Sequence, residues 1–355
     1  MTIGDPTFLY APPSNRVFFG FGTVARVADE ARRLGIQRPL LLSTPGQKTR
    51  ALGLPLGVNL TGVFAEATMH TPVAVTERAM AVVAETQADG VISFGGGSTI
   101  GLGKAIALRT DLPQIVLPTT YAGSEMTDLL GETSEGKKKT LRSPKVQPEV
   151  VIYDVELTLT LPVGVSATSG MNAIAHAVEG LYAEDRNPVG TLMALEGIRA
   201  LAEGLPLIVK NPRDRAARAQ ALYGAWLCSM VLGTIKAALH HKLCHVLGGS
   251  FNLPHAETHT VILPHATSFN ALAAGRELAP VAEILHSAGP GQGLYDLAQR
   301  IGAPTSLREI GMPADGLDKA ASIATETPYF NPRPVTTAEI RALLEDAYNG
   351  CRPEL

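Results

Sequence analysis

Short, uniformly apolar runs alternate with helical periodicities over the first 160 residues of the chain. From Thr23 to Gly35 the apolar side chains recur at helical spacing, and an apolar run from Pro39 to Ser43 follows. Strands that are buried on both faces of a parallel sheet have such uniform runs. Further helices are predicted at 76–89 and 99–108, and further strands at 91–94, 114–117 and 150–153. The alternation predicts a doubly wound α/β domain over residues 1–160.

After Pro162 the apolar positions keep a helical period, and strand-like runs become few. Helices are predicted at 167–182, 191–209, 216–232 and 336–349. At the start of the last helix, Thr336 and Glu339 have the spacing of a capping box, which satisfies free backbone amides. We therefore expect an all-α domain over residues 161–355.

Composition and charge narrow the class of ligand. Of the 355 residues, 45% are hydrophobic and 18% are charged, which is typical of a globular protein. The net charge of −3 provides no excess of positive charge for nucleic acid or for an anionic membrane. Small molecules are the expected partners.

The cysteines and the N-terminal segment bear on the cellular compartment. Cys228, Cys244 and Cys351 form neither a CxxC motif nor an even disulfide framework. The first 15 residues lack the pattern of a secretion signal, and no apolar run reaches the roughly 18 residues of a membrane span. We expect a cytoplasmic protein.

A glycine-rich segment lies between the predicted strand 91–94 and the predicted helix 99–108. Backbone without side chains can approach a pyrophosphate there, and a helix N-terminus favours its charge. A tight turn that needs glycine only for its backbone angles is the alternative. The segment consists of Gly95, Gly96, Gly97 and Ser98.

Two other glycine motifs match phosphate sites less well. Gly103 and Lys104 lack the flanking residues of a Walker loop. Gly20-Phe21-Gly22 precedes a helix but has no clear strand before it. An ATPase is therefore disfavoured.

Hydroxyl side chains at two other strand ends are expected to line the cofactor groove. Thr119 and Thr120 follow the strand at 114–117, although an ordinary polar loop is an equal alternative. Ser43 ends the strand that begins at Pro39, where NAD-specific folds carry a carboxylate for the ribose. Because no carboxylate is present, we expect both NADH and NADPH to be accepted.

The histidines are strongly clustered. Six of the nine lie within 26 residues, at positions 240, 241, 245, 255, 259 and 265. Asn172 and His176 are i, i+4 neighbours on a predicted helix, as are His241 and His245, so two helices can bring polar groups to one point. A single buried histidine is usually a core residue, but this group together indicates a site.

Four motifs carry a resemblance that spans nearly the whole chain: GGGS at 95–98, PTTYAGSEMT at 118–127, GMNAIAHAVE at 170–179 and HKLCHVLGGSFNLPH at 241–255. In order and spacing they resemble the iron-containing alcohol dehydrogenase family. The resemblance implies a dinucleotide-binding domain followed by a helical domain. In that family an Asp and three His bind a divalent metal, and these positions correspond to Asn172, His176, His241 and His255. A further family histidine corresponds to His245.

Two positions depart from the family pattern. Asn172 replaces the metal-binding Asp, so the four ligand positions carry no negative charge, and we expect weak or no metal binding. Gly101 stands where the family usually has an Asp after GGGS. The alternative is that three histidines with an amide or a water still bind zinc.

These departures, together with Tyr121, GKKKT at 136–140 and the segment from Asn331 to Val335, resemble one branch of the family, the maleylacetate reductases. The resemblance implies NADH- or NADPH-dependent reduction of the carbon–carbon double bond of maleylacetate to 3-oxoadipate during the degradation of aromatic compounds. Chloro-substituted maleylacetates are further expected substrates, and a homodimer is expected. Hydride addition to this alkene places charge on an enolate oxygen, which hydrogen-bond donors can stabilise without a metal.

The resemblance also suggests roles for the clustered residues. His241 or His245 would be catalytic, stabilising the enolate and donating a proton to it. Asn172, His176 and His255 would orient the substrate. Its carboxylates need cations, for which the sequence offers Lys236, Lys242 and Arg333.

Three other functions stay open from the sequence. A metal-dependent alcohol or polyol dehydrogenase of the same family is the first, because an alkoxide usually needs a metal. A lyase resembling dehydroquinate synthase is the second, although its basic phosphate cluster is not apparent. A non-catalytic dinucleotide-binding protein is the third, and the clustered histidines argue against it.

Overall fold

The structure, a computed structural model, describes residues 7–134 and 137–354, with only the backbone of Lys137 and Lys138. Part of the N-terminal segment and of the GKKKT motif considered above therefore lies outside the described residues. The described residues divide into two compact units: one within residues 12–161, and one of residues 162–354 together with residues 7–11.

The unit of residues 12–161 is built on a parallel sheet. Its six strands are β1 (Arg16–Gly20), β2 (Pro39–Leu42), β3 (Gly62–Phe64), β4 (Gly90–Gly95), β5 (Gln114–Pro118) and β8 (Val150–Asp154). They lie in the order β1-β8-β5-β4-β2-β3, and every neighbouring pair is parallel. Its helices are α1 (Val27–Arg33), α2 (Lys48–Leu52), α3 (Val73–Thr86) and α4 (Gly97–Thr110).

Alternate strand residues build a separate core on each face of this sheet. Ile92 and Ile115 pair in the register of β4 with β5 and face the core that includes residues of α1 and α2. Val91 faces the opposite core, which includes residues of α3 and α4. Helices on both faces of a parallel sheet define the doubly wound fold, so the predicted α/β class is confirmed.

Several strands were not predicted, for physical reasons. β1 is a partly exposed edge strand and β3 has only three residues, so neither has a uniformly apolar run. The remaining two strands, β6 (Leu129–Ser134) and β7 (Lys137–Arg142), form a separate antiparallel pair that is rich in polar residues. The expectation that no strand precedes Gly20-Phe21-Gly22 is wrong, because β1 ends at Gly20.

The second unit is helical, as predicted. Its described helices are α5 (Val163–Tyr182), α6 (Pro188–Lys210), α7 (Arg215–Thr234), α8 (Leu239–Phe251), α9 (His255–Ile284), α10 (Pro290–Arg300), α11 (Leu317–Glu326) and α12 (Thr337–Asn349). A core of small and aliphatic side chains joins α8, α9, α11 and α12. At the start of α12 the Thr336 hydroxyl accepts from the Glu339 amide at 3.3 Å, as the capping-box spacing predicts.

Among the described residues, no single helix is long and apolar enough to cross a membrane. Only α7 and α8 taken together reach that length and hydropathy, and they are bent by 94° where they meet.

Candidate active site

The glycine-rich segment forms the turn from β4 into α4. Gly95 has φ +156°, and a Cβ there would lie 2.4 Å from the Thr99 hydroxyl. A Cβ on Gly96 would lie 2.7 Å from the Thr120 hydroxyl. Gly97 is exposed, and α4 begins there without a side-chain cap. The bare backbone at a helix N-terminus fits the pyrophosphate of a dinucleotide.

The other predicted cofactor residues lie at neighbouring strand ends. The Thr119 amide donates to the Gly95 carbonyl at 3.0 Å, which ties the end of β5 to the glycine turn. Thr120 is half-buried. Ser43 is completely buried, and its hydroxyl donates to the Thr44 carbonyl at 3.2 Å. Cofactor contacts by these residues remain predictions, and for Ser43 the hydroxyl already has a partner.

Gly101, where the family pattern usually has an Asp, lies close to the side chain of Thr71. A Cβ at Gly101 would lie 2.4 Å from the hydroxyl oxygen of Thr71, which is itself buried. A carboxylate side chain cannot be placed at this position unless Thr71 moves.

The two disfavoured glycine motifs have structural roles instead. The Asp154 carboxylate accepts from the Gly22 amide at 3.1 Å and from the Val24 amide at 2.9 Å, so the turn after β1 has its own anionic cap. The buried Lys104 ammonium donates to the carbonyls of Ser124 and Leu129 at 2.6 and 2.8 Å. Lys104 thus fixes the PTTYAGSEMT segment beside the glycine turn.

In the helical unit, α5, α8 and α9 bring the clustered histidines together. The rings of His176 on α5 and His241 on α8 stack at 5.3 Å with 20° between their planes. The His241 ring centroid lies 6.2 Å from that of His245 and 5.1 Å from that of His259 on α9. His255 begins α9 and lies 4.3 Å from His259. His241 is buried, whereas His245 is exposed.

A buried carboxylate that the sequence analysis did not assign holds His241. Glu179 on α5 is completely buried, and its Oε2 is hydrogen-bonded to His241 Nδ1. Its Oε1 accepts from the His240 amide at 2.9 Å. This pairing fixes the orientation of the imidazole and leaves His241 Nε2 as the atom available for chemistry.

Three buried polar atoms at the predicted site lack a hydrogen-bond partner among the described residues: Asn172 Oδ1, His176 Nδ1 and His241 Nε2. Leaving a buried polar atom unsatisfied costs about 1–3 kcal/mol. The structure thus provides a polar surface that a bound ligand or water can satisfy.

Burial keeps several of these imidazoles neutral. Burial, and to a smaller extent the neighbouring His241 and His255, lowers the pKa of His176 well below its usual value. The same cause lowers the pKa of His240 and of His259. His176 can therefore act as a neutral hydrogen-bonding group near pH 7.

The three cations considered for the substrate carboxylates have different partners. Lys236 lies 3.5 Å from the Glu184 carboxylate, and Arg333 lies 2.6 Å from the Glu339 carboxylate. Lys242 donates to the neutral Thr327 hydroxyl at 3.1 Å. Among the described contacts, Lys242 is therefore the one of the three cations that does not pair with a carboxylate.

Family models match both units of the chain. The model described as "Iron-containing alcohol dehydrogenase" matches residues 13–155, and "Fe-containing alcohol dehydrogenase family, C-terminal" matches residues 166–348. The chain belongs to the iron-containing alcohol dehydrogenase family. The resemblance stated from the sequence motifs is confirmed, and the chain is an oxidoreductase.

Close relatives extend over the whole chain. A Rhizobium sp. (strain MTP-10005) protein described as "Maleylacetate reductase" is 56% identical, and the match covers 98% of this chain and 99% of that protein. The crystal structure of maleylacetate reductase from Agrobacterium tumefaciens has a TM-score of 0.94 at 55% identity and covers 98% of this chain and 100% of that chain. A putative alcohol dehydrogenase from Ralstonia eutropha JMP134 has a TM-score of 0.97 at 53% identity, with coverage of 99% and 100%.

The family's metal positions carry a neutral donor set in this chain. Asn172, His176, His241 and His255 offer one amide oxygen and three imidazoles, with no anion to compensate a dication. In the described part of the chain, the ligand atoms that lie within 4.8 Å of one another belong instead to His240, Cys244 and His259. The substitution at position 172 therefore removes the anionic ligand but keeps the three imidazoles, a set that binds zinc in some enzymes.

Proposed function

We propose that this chain reduces the carbon–carbon double bond of maleylacetate to give 3-oxoadipate, with NADH or NADPH as the hydride source. The observation that carries the proposal is the full-length likeness to relatives described as maleylacetate reductases, at 56%, 52% and 51% identity for three of them. The asparagine at the family's metal-binding position 172 and the buried, neutral His176 support the same reaction.

The glycine turn would hold the dinucleotide. Gly96, Gly97 and Ser98 offer backbone and a helix N-terminus to the pyrophosphate. A nicotinamide bound there would be the source of the hydride for the alkene carbon remote from the ketone. Acceptance of both cofactors rests on the absence of a carboxylate at Ser43 and Thr44.

Neutral polar groups would orient the substrate. Asn172 Oδ1 and His176 Nδ1 lack partners among the described residues, and both side chains are buried. The His255 ring on α9 lies 4.3 Å from the His259 ring. A substrate carboxylate would accept from an Nδ1–H of His176, and a bound water would donate to Asn172 Oδ1, so binding removes a cost that the free site carries.

His241 would provide the proton. When it is protonated, its Nε2 donates a hydrogen bond to the developing enolate and then gives that proton to the carbon next to the ketone. After the transfer, His241 keeps the Nδ1 proton that it donates to Glu179. The product is 3-oxoadipate, and the imidazole is reprotonated from solvent.

Glu179 would act as a positioning residue. It holds the imidazole in one orientation and stabilises the imidazolium with its negative charge. His245, the other predicted catalytic residue, is exposed and lies one helical turn further along α8. The geometry therefore favours His241 over His245 as the proton donor.

Metal independence is part of the proposal. An enolate oxygen carries delocalised charge, which the His241 donor can stabilise where an alkoxide would usually need a Lewis acid. The loss of the Asp at position 172 is then tolerated, because no dication has to be compensated there. A cytoplasmic location and a homodimer are further predictions from the sequence.

Matched substitutions on α8 test the assignment of the proton donor. His241→Gln removes the donor, and we expect kcat for maleylacetate to fall at least about a hundredfold, as expected for loss of a general acid. His245→Gln is the control, and its kcat should stay within about tenfold of wild type. NADH oxidation is followed by absorbance, and circular dichroism verifies folding. A folded His241→Gln enzyme with wild-type kcat would contradict the assignment.

Glu179→Gln separates positioning from a purely structural role. The amide keeps the shape of the carboxylate but removes the charge that stabilises the imidazolium. We expect a lower kcat and a basic limb of the kcat–pH profile that moves to lower pH, with little change in KM. A stable variant with an unchanged pH profile would show that Glu179 only supports packing.

A further inference from the structure

Three buried side chains outside the family's ligand positions converge in the helical unit. His240 and Cys244 lie one turn apart on α8, and His259 lies on α9. His240 Nε2 is 2.9 Å from His259 Nδ1 and 3.7 Å from Cys244 Sγ. The exposed fractions are 1% for His240, 2% for Cys244 and 0% for His259. Two imidazoles and a thiol thus face one another in a closed part of the core.

We propose that His240, Cys244 and His259 form a binding site for a thiophilic divalent cation such as zinc. The donor atoms all lie within 4.8 Å of one another. With zinc bonds of about 2.0 Å to nitrogen and about 2.3 Å to sulfur, tetrahedral ligands lie about 3.3 Å (N to N) and about 3.6 Å (N to S) apart. The sulfur already has this spacing to His240 Nε2, at 3.7 Å, and the two nitrogens, now 2.9 Å apart, must separate by only about 0.4 Å.

Binding would exchange a hydrogen bond and a thiol proton for three metal bonds. The proton shared between His240 Nε2 and His259 Nδ1 moves to His240 Nδ1 or His259 Nε2, which have no hydrogen-bond partner among the described residues. Cys244 loses its proton to solvent as the sulfur–metal bond forms. One proton is therefore released for each cation bound, and affinity rises with pH.

A buried carboxylate near the three side chains adds negative charge that would stabilise a bound cation. The Glu179 carboxylate accepts from the His240 backbone amide at 2.9 Å and so lies beside the site. Because the same carboxylate is hydrogen-bonded to His241, its charge also acts on the family positions. What distinguishes the proposed site is the Cys244 thiolate, an anionic ligand that Asn172 does not provide at the family positions. The proposed reduction does not use this cation.

Cobalt provides a direct spectroscopic test because thiolate ligation gives a near-ultraviolet charge-transfer band. The full-length protein is stripped with a chelator, kept reduced and titrated with Co²⁺. We expect one Co²⁺ per chain with a charge-transfer band in wild type, displacement by Zn²⁺, and a rise in Tm of the zinc-loaded protein. Cys244→Ser should lose the band and bind Co²⁺ at least about tenfold more weakly.

Cys228→Ser is the matched control, because Cys228 is equally buried but lies on α7. It should keep the band. His259→Gln gives a second test if Cys244→Ser does not fold, and it should also weaken the band. Saturation with Co²⁺ without a charge-transfer band, or a band that survives Cys244→Ser, would overturn the proposal. Neither outcome bears on maleylacetate reduction, which is assayed separately.

Discussion

Buried histidines should make the helical unit sensitive to acid. Burial lowers the pKa of His176, His240 and His259 well below 6.5, and it lowers the pKa of His265 to about 4. In the unfolded chain these imidazoles bind protons near pH 6.5, whereas in the folded chain they stay neutral. Below pH 6.5 the unfolded state therefore binds more protons, and the free energy of unfolding falls as pH falls.

The size of this loss follows from linkage. One pH unit below the unfolded pKa costs about 1.4 kcal/mol for each group that must stay neutral. Between pH 7.5 and 5.5 this amounts to about 1.4 kcal/mol for His265, whose pKa in the folded chain is about 4. His176, His240 and His259 change the free energy of unfolding in the same direction, so the total loss exceeds this value. It is a substantial part of the stability of many domains, about 5–15 kcal/mol.

Trp226 on α7 is the one tryptophan of the chain, so its fluorescence reports unfolding of the helical unit. Urea unfolding of the chelator-treated protein at pH 7.5, 6.5 and 5.5 should give a steadily lower midpoint. His265→Gln should remove about 1.4 kcal/mol of the loss between pH 7.5 and pH 5.5. His286→Asn, which changes an exposed histidine at φ +51°, is the control and should leave the dependence unchanged. A midpoint that does not change from pH 7.5 to 5.5 would refute the reasoning.

Three further predictions concern the unit of residues 12–161. Gly95→Ala should lower the free energy of unfolding by at least about 2 kcal/mol, measured by chemical unfolding, and should weaken NADH binding, measured by fluorescence titration. The control is Gly164→Ala in the helical unit, which should be nearly neutral because the space around its Cβ is open. Gly101→Asp should lower the Tm, and adding Thr71→Ala should recover part of the loss, because it removes the hydroxyl that the new side chain meets. Additive effects of the two substitutions on the Tm would argue against a steric conflict between positions 101 and 71. Lys104→Met should lower stability by roughly 3 kcal/mol, because it leaves buried carbonyls without a donor, and wild-type stability would contradict that role.

The fold was largely predictable because its elements have strong periodic patterns. The uniform run from Pro39 and the helical period after Pro162 were sufficient to identify a doubly wound unit and a helical unit. The edge strand β1 was missed because it is only partly buried, so its residues do not form the uniformly apolar run that marks a central strand. The polar pair of β6 and β7 has no core pattern that could mark it.

The candidate site was predictable in its members but not in its pairings. The spacing of Asn172 and His176 placed them on one helical face, and the structure shows both buried on α5. Glu179 was missed because a charged residue at the end of a helical motif is usually exposed, although the spacing from His176 places it on the same face. The side chain of His240 pairs with His259 on α9, whereas that of His241 pairs with Glu179 on α5. These pairings depend on how α8 packs against α5 and α9, which the sequence pattern does not show.

Maleylacetate-dependent oxidation of NADH by metal-depleted protein tests the central claim most directly. The protein is stripped with a strong chelator, assayed for residual metal and supplied with maleylacetate. We predict that turnover is as fast as before metal removal, because His241 and Glu179 replace the function of a metal. Activity that disappears with the metal and returns with iron or zinc would contradict the account, and restored activity on alcohols alone would identify an alcohol dehydrogenase instead.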